Sequence, residues 1–206
     1  MEILYSDSHL IVVIKPIGVE SEIEMTQLLT TTLGRSVFTV HRLDRAVGGV
    51  MVYALTPEAA ADLFEQIRTD QCEKEYYAVL PKAPAESEGE LKDLLFFDNF
   101  RRKSFVVQRN RQGVRDAVLH YRVVSQKNGL CLVHIRLQTG RTHQIRVQFA
   151  SRKMPLLGDR KYGSREKGCP IALWSTRISF LHPETHERVE FSAPAPDDFP
   201  WDTFEW

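Results

Sequence analysis

Apolar residues along this chain come in short runs separated by glycine, proline and clusters of charge, which predicts a mixture of helices and strands. Residues 10–14, Leu-Ile-Val-Val-Ile, predict a strand, stopped by Lys15-Pro16-Ile17-Gly18, where proline and glycine force a turn. Residues 22–33 predict a short helix ending near Gly34, and 36–40 a strand leading into a polar turn. Beyond that turn Val50, Val52 and Ala54 fall on one side of an extended chain, and Met51 and Tyr53 on the other, which reads as a buried strand. Thr56-Pro57 opens a helix, with Thr as N-cap, Pro at the first helical position and Glu58 in the first turn. Ala60, Leu63, Phe64 and Ile67 give that helix one apolar face.

Further strands are predicted over 73–80, 104–107, 117–124, 130–137 and 171–180, with Lys127-Asn128-Gly129 as a hairpin turn. The Pro/Ala/Glu-rich stretch 81–90 is the best candidate for an internal linker. Thr142 is placed to cap a helix packed through Ile145, Phe149 and Ala150, leaving His143, Gln144 and Arg146 as polar groups near one end.

A length of 206 residues predicts one domain, 1–206, with room for a split sheet or two lobes. No apolar run is long enough for a transmembrane helix, and the N-terminus lacks the basic and apolar regions of a signal peptide. Three widely spaced cysteines without a CxxC predict reduced thiols in a cytoplasmic protein and no structural zinc. The expected oligomeric state is a monomer. Net charge is zero, but its distribution is not even: residues 58–98 are mostly acidic, while 101–115 and 141–167 are basic. One basic face would hold phosphates; a scattered surface is the alternative.

Candidate chemistry concentrates in His41-Arg42-Leu43-Asp44-Arg45, followed by Gly48-Gly49. A carboxylate between two arginines suits an anionic base or nucleophile better than a proton donor, although such flanks also fit a structural ion pair. Gly48-Gly49 would let backbone or ligand approach closely. The second dense stretch is Thr139-Gly140-Arg141-Thr142-His143-Gln144-Ile145-Arg146. No HExxH or Cys/His spacing marks a metal site, and a lone His143 is more often a hydrogen-bonded structural residue than a base.

Several separated segments resemble the RluA family of pseudouridine synthases. His41-Arg42-Leu43-Asp44 is similar to the family's catalytic motif, and Lys74-Glu75-Tyr76 to its lysine-x-tyrosine strand. Residues 139–147 and Leu157-Gly158-Asp159-Arg160-Lys161-Tyr162-Gly163 resemble two further signatures, and Lys15-Pro16-Ile17-Gly18 also fits. The matches run in family order from about residue 3 to 183.

The resemblance implies an α+β pseudouridine synthase fold: a largely antiparallel mixed sheet, split by a central RNA-binding cleft and flanked by helices. It implies an enzyme that isomerises uridine in tRNA or rRNA, with Asp44 as the essential carboxylate, Tyr76 against the uracil and Arg141 paired with Asp44. Tyr77 competes for the place of Tyr76. No cofactor and no metal are expected. Arg42, His143, Gln144, Arg146, Arg101, Arg102 and Lys103 are the expected RNA contacts, with Arg146 equally suited to a structural pair. No small RNA-binding domain precedes residue 1, so the catalytic domain alone would select a compact stem-loop. Three departures from the family pattern, Val47-Gly48, Gln148 and Trp174, bear on substrate choice. A catalytically silent RNA-binding protein of the same fold is the alternative.

Overall fold

The computed structural model of the chain describes residues 1–205. It divides into two compact units, one made of Met1–Glu75 and Trp174–Ala195, the other of Tyr76–Leu173 and the chain from Pro196 onward. The division falls between Glu75 and Tyr76, within a strand, and not in the stretch 81–90, whose last residues, 88–90, already belong to the next strand. A composition rich in Pro, Ala and Glu marks a loop, but not whether the strands on either side share a sheet.

In chain order the first elements are β1 (Glu2–Ser6), β2 (Leu10–Lys15), α1 (Glu24–Leu33), β3 (Phe38–Thr39), β4 (Gly48–Ala54), α2 (Pro57–Arg68) and β5 (Glu73–Leu80). The second unit continues through β6 (Glu88–Asp98), β7 (Lys103–Val107), β8 (Val114–Lys127), β9 (Leu130–Leu137) and α3 (Gln144–Ser151). The chain then returns as β10 (Leu173–Leu181) and β11 (Arg188–Ser192).

In the first unit the strands run β1-β2-β4-β10, with β3 on β4 and β11 on β10. All these pairs are antiparallel except β4 with β10, which is parallel at Gly48 with Trp174 and Gly49 with Ser175. Every residue of β4 is buried. Val50, Val52 and Ala54 share one core with Leu10, Val12, Leu63, Ile178 and Phe180, as their alternation predicts. α2 packs on β4, and Thr56 caps it by accepting from Ala59 N at 3.1 Å. Its buried face differs from the expected one: Phe64 is 59% exposed and Gln66 is buried. Gln66 takes a core position because its amide acts as a backbone mimic, donating to Leu181 O and accepting from Leu181 N, both at 2.8 Å.

The second unit holds antiparallel strands in the order β9-β8-β6-β7, with β6 between β7 and β8. Asn128 (φ 55°) and Gly129 (φ 77°) make the tight β8–β9 turn. α3 packs against β6 and β7. The strands β1 and β11 were not predicted: each has five residues and turns only Leu4, or Val189 and Phe191, to the core. No helix among the described residues is long and apolar enough to cross a membrane.

The parallel β4–β10 contact depends on Gly49. Its φ is +119°, and a Cβ there would stand 2.2 Å from Ser175 O and 2.6 Å from Ser175 N. Gly49→Ala is therefore expected to cost about 3 kcal/mol or more, from backbone strain and overlap together. Urea unfolding measures it, and a loss below about 1 kcal/mol would mean that the strands separate easily.

Candidate functional site

Asp44 is half-buried in the turn that joins β3 to β4, and the backbone around it is tied at three successive carbonyls. Leu43 O accepts from the buried Ser21 hydroxyl at 2.9 Å, Asp44 O from Val47 N at 2.9 Å, and Arg45 O from Gly18 N at 2.8 Å. Ser21 is held in turn by Tyr53 on β4, whose hydroxyl donates to Ser21 O at 2.9 Å. A carboxylate on such a turn keeps its aim without reorganisation.

Lys15 belongs to the same assembly, a role that its Lys-Pro-x-Gly context did not reveal beyond predicting a turn. It has no solvent exposure, and its Nζ donates to Pro16 O at 2.9 Å and Val19 O at 2.7 Å. Burial draws its pKa down to about 8, while the nearby Asp44 carboxylate acts to raise it. The ammonium form still predominates at neutral pH. The arginines that flank Asp44 engage carboxylates at the start of α1: Arg42 meets Glu22 at 3.5 Å, and Arg45 is hydrogen-bonded to Glu24.

His41 is structural. Its Nε2 accepts from Val52 N at 3.2 Å, extending the β3–β4 ladder by one side-chain bond, so the neutral ring carries its proton on Nδ1. Burial, with Lys74 adding to it, pulls its pKa down to about 3 from 6.5. The folded state thus resists protonating this ring. Its contribution is fully present above pH 6.5 and is lost as pH falls from there through about 3. Relative to His41→Gln, wild type is expected to lose about 1.4 kcal/mol more per pH unit across that window. Urea unfolding between pH 6 and pH 4 tests this, and parallel curves would exclude it.

Two departures from the family pattern prove to be one packing exchange. A Cβ on Gly48 would stand 2.5 Å from the Trp174 ring, so the indole occupies the space that a side chain at position 48 would need. The close approach expected at Gly48-Gly49 is therefore made by Trp174 and the Ser175 backbone.

In the second unit Tyr76 is buried on β5, while Tyr77 is half-buried with its ring 5.4 Å from His134. Arg141 is exposed, with Nε donating to Asp116 O on β8 at 2.9 Å. Thr142 does not cap α3. The residue before the helix is His143, left-handed at φ 54° and without a side-chain cap bond. Gln144 organises the turn instead. Its Oε1 accepts from Arg141 N at 3.0 Å and from the Thr139 hydroxyl at 2.8 Å, and its Nε2 donates to Val118 O at 3.1 Å.

The polar face expected on α3 is also absent, since residues 144–149 are all buried. Arg146 makes a two-point pair with Asp159, Nε to Oδ2 at 2.7 Å and a terminal nitrogen to Oδ1 at 2.9 Å. Gln148 donates to Leu91 O and to Asp93, and its Oε1 has no hydrogen-bond partner among the described residues. Gln144 and Arg146, read from sequence as RNA contacts, are therefore part of the scaffold behind Arg141. His143 is half-buried, with Nδ1 2.9 Å from the Tyr162 hydroxyl. Arg101 and Arg102 are exposed at the β6–β7 turn, and Lys103 opens β7 half-buried.

Comparison with known proteins gives the family. The profile of the RNA pseudouridylate synthase family matches residues 9–151. The chain is 32% identical to ribosomal large subunit pseudouridine synthase D of Xanthomonas campestris, over 96% of this chain and 67% of that protein. It is 29% identical to the protein of the same name from Zymomonas mobilis, over 96% of this chain and 70% of that one. Among solved structures, human RNA pseudouridylate synthase domain containing 4 superposes with a TM-score of 0.80 at 25% identity, covering 95% of this chain and 88% of the human one. Family profile, named relatives and fold converge, and the chain belongs to the RluA family of RNA pseudouridine synthases, which isomerise uridine within RNA.

Proposed function

We propose that this enzyme isomerises a uridine in a looped segment of large-subunit ribosomal RNA, with Asp44 as the essential carboxylate. The observation that carries the role of Asp44 is its turn, tied at Leu43, Asp44 and Arg45 by Ser21, Val47 and Gly18. The names of the bacterial relatives support ribosomal RNA as the target; a tRNA stem-loop is the alternative substrate of the same chemistry.

Isomerisation breaks the bond between N1 of uracil and C1′ of the ribose, turns the base, and forms a bond from C5 to C1′. An ionised Asp44 starts this by attacking C1′, with uracil leaving as its anion, or by taking the C2′ proton so that the base is eliminated. On rejoining, C5 bonds to C1′ as the Asp44 ester is displaced, or as the proton returns to C2′ of the eliminated sugar; the C5 proton then passes to a base or to water and N1 is protonated. Tyr76 stacks on the detached uracil and keeps it in the pocket, and its hydroxyl is a candidate acceptor for the C5 proton. Arg141 is the third residue of the proposed catalytic set. Extracting the target base costs a few kcal/mol of stacking, offset by phosphate contacts from basic side chains such as Arg101, Arg102 and Lys103.

Tritium at C5 of uridine is released to water when pseudouridine forms. Release from ribosomal RNA on adding wild type is the expected result. Release from the tRNA fraction alone would move the target, and release from no RNA fraction by a folded protein would favour a silent RNA-binding role.

A further inference from the structure

Phe100 is the most exposed large apolar side chain among the described residues, 97% open to solvent. It stands at the tip of the β6–β7 hairpin, where residues 99–102 connect Asp98 to Lys103, the last pair of the ladder. The tip has a defined shape. Arg101 N donates to Asp98 Oδ1 at 2.9 Å, and Arg102 adopts a left-handed φ of 47°.

Arginines flank the ring along the chain. Arg101 and Arg102 follow it directly and are exposed, and Arg109 and Arg111 lie exposed on the next loop. The other aromatic rings nearby already carry cations: Arg101 lies over Phe105 at 5.9 Å, Lys103 over Tyr162 at 4.7 Å, and Arg111 over Phe96 at 4.7 Å. The tip thus carries two exposed arginines next to a solvent-facing ring in sequence, Arg101 also meeting Asp98 at 3.8 Å.

The hairpin is also tied to the loop that carries Arg141. The Ser104 hydroxyl donates to Thr142 O, and Ser104 N donates to the Tyr162 hydroxyl at 2.9 Å. Lys103 Nζ donates to Lys161 O at 2.7 Å, and Lys161 Nζ returns a bond to Arg102 O at 2.8 Å. The tip is therefore held in register with Arg141 and needs little ordering when a partner arrives.

We propose that Phe100 is a base-stacking residue, which holds an unpaired base of the RNA substrate while Arg101 and Arg102 hold the adjoining phosphates. The proposal rests on the RNA-modifying role argued above and adds a second point of contact for the substrate, outside the pocket that takes the uracil. An aromatic face accepts any base, and surrounding guanidinium groups serve the backbone. A protein-docking anchor is favoured by an apolar surround, whereas this ring is bordered by charge.

The test is binding of a fluorescently labelled RNA single strand of about twelve nucleotides, containing adenosine and uridine, against a duplex of the same length. Wild type, Phe100→Ala, Phe100→Leu and Phe100→Trp are compared. The tip touches no core, so all four are expected to fold alike. Phe100→Ala and Phe100→Leu are expected to lose about 10-fold in affinity for the single strand, with little change on the duplex. Phe100→Trp keeps the affinity and adds indole emission that is quenched by the single strand. Leucine or alanine binding as well as phenylalanine overturns the proposal. So does a loss confined to self-association, or to binding of anionic phospholipid vesicles, which assigns the ring to a protein or a membrane. Tritium release separates this proposal from the isomerase reading. Stacking without release leaves Phe100 in its role and removes the isomerase assignment; release with unchanged binding in Phe100→Ala does the reverse.

Discussion

Asp44→Asn is expected to abolish tritium release from uridine-labelled RNA, by at least about a thousandfold, while RNA affinity and unfolding midpoint stay close to wild type. Asparagine has nearly the shape of aspartate, and the bonds that fix the turn run through the carbonyls of Leu43, Asp44 and Arg45, which the substitution leaves in place. Only the anion is removed. Attack on C1′ and abstraction of the C2′ proton both require that anion, so either route fails in the variant. Asp44→Glu keeps the charge but moves it outward by one methylene on a rigid turn. It is expected to recover little activity, because misplacement of about 1 Å costs about a hundredfold. Activity persisting in Asn protein that mass spectrometry shows free of deamidation would remove Asp44 from the mechanism.

Arg146→Met is expected to produce the largest loss of stability outside the glycine positions. Arg146 and Asp159 are 5% and 0% exposed, and their two-point pair joins α3 to the loop before the 3-10 turn Arg160–Tyr162. Removing the guanidinium leaves a buried carboxylate without its countercharge, which costs about 3–5 kcal/mol. For a chain of this size the melting temperature falls by roughly 10 °C. Arg146→Lys does not restore the pair, since an ammonium cannot match both carboxylate oxygens at once. Arg146→Met with Asp159→Asn is expected to recover part of the loss, because no unpaired charge remains. If Arg146 were a phosphate contact, its substitution would reduce the salt dependence of RNA binding by about one counterion and leave stability alone.

Legibility followed the chemistry of each position. The strand Gly48–Ala54 and the helix opening at Thr56-Pro57 were readable because burial and capping leave local patterns. The strand Arg188–Ser192 is too short to announce itself, with only Val189 and Phe191 turned to the core. The Asp44 motif was visible as a charge cluster, but its flanking arginines engage Glu22 and Glu24, carboxylates some twenty positions earlier. Gln66 was not singled out, Gln144 was read as an RNA contact, and Arg146 suited a phosphate contact or a structural pair equally. A polar residue reads as exposed unless a partner is known, and their partners are Leu181, Val118 and Asp159. Phe64 shows the converse, an apolar residue assigned to the packed face of its helix that stays in water.

The sequence by itself determined the family and the order of most elements, because motif spacing and hydrophobic period are properties of neighbouring positions. Tertiary structure decided which polar groups are scaffold and which are open. It buried Lys15 beneath the Asp44 turn, set Trp174 against Gly48, and left Phe100 exposed among arginines. Those outcomes depend on desolvation and on partners far along the chain, and both arise only when the strands are brought together.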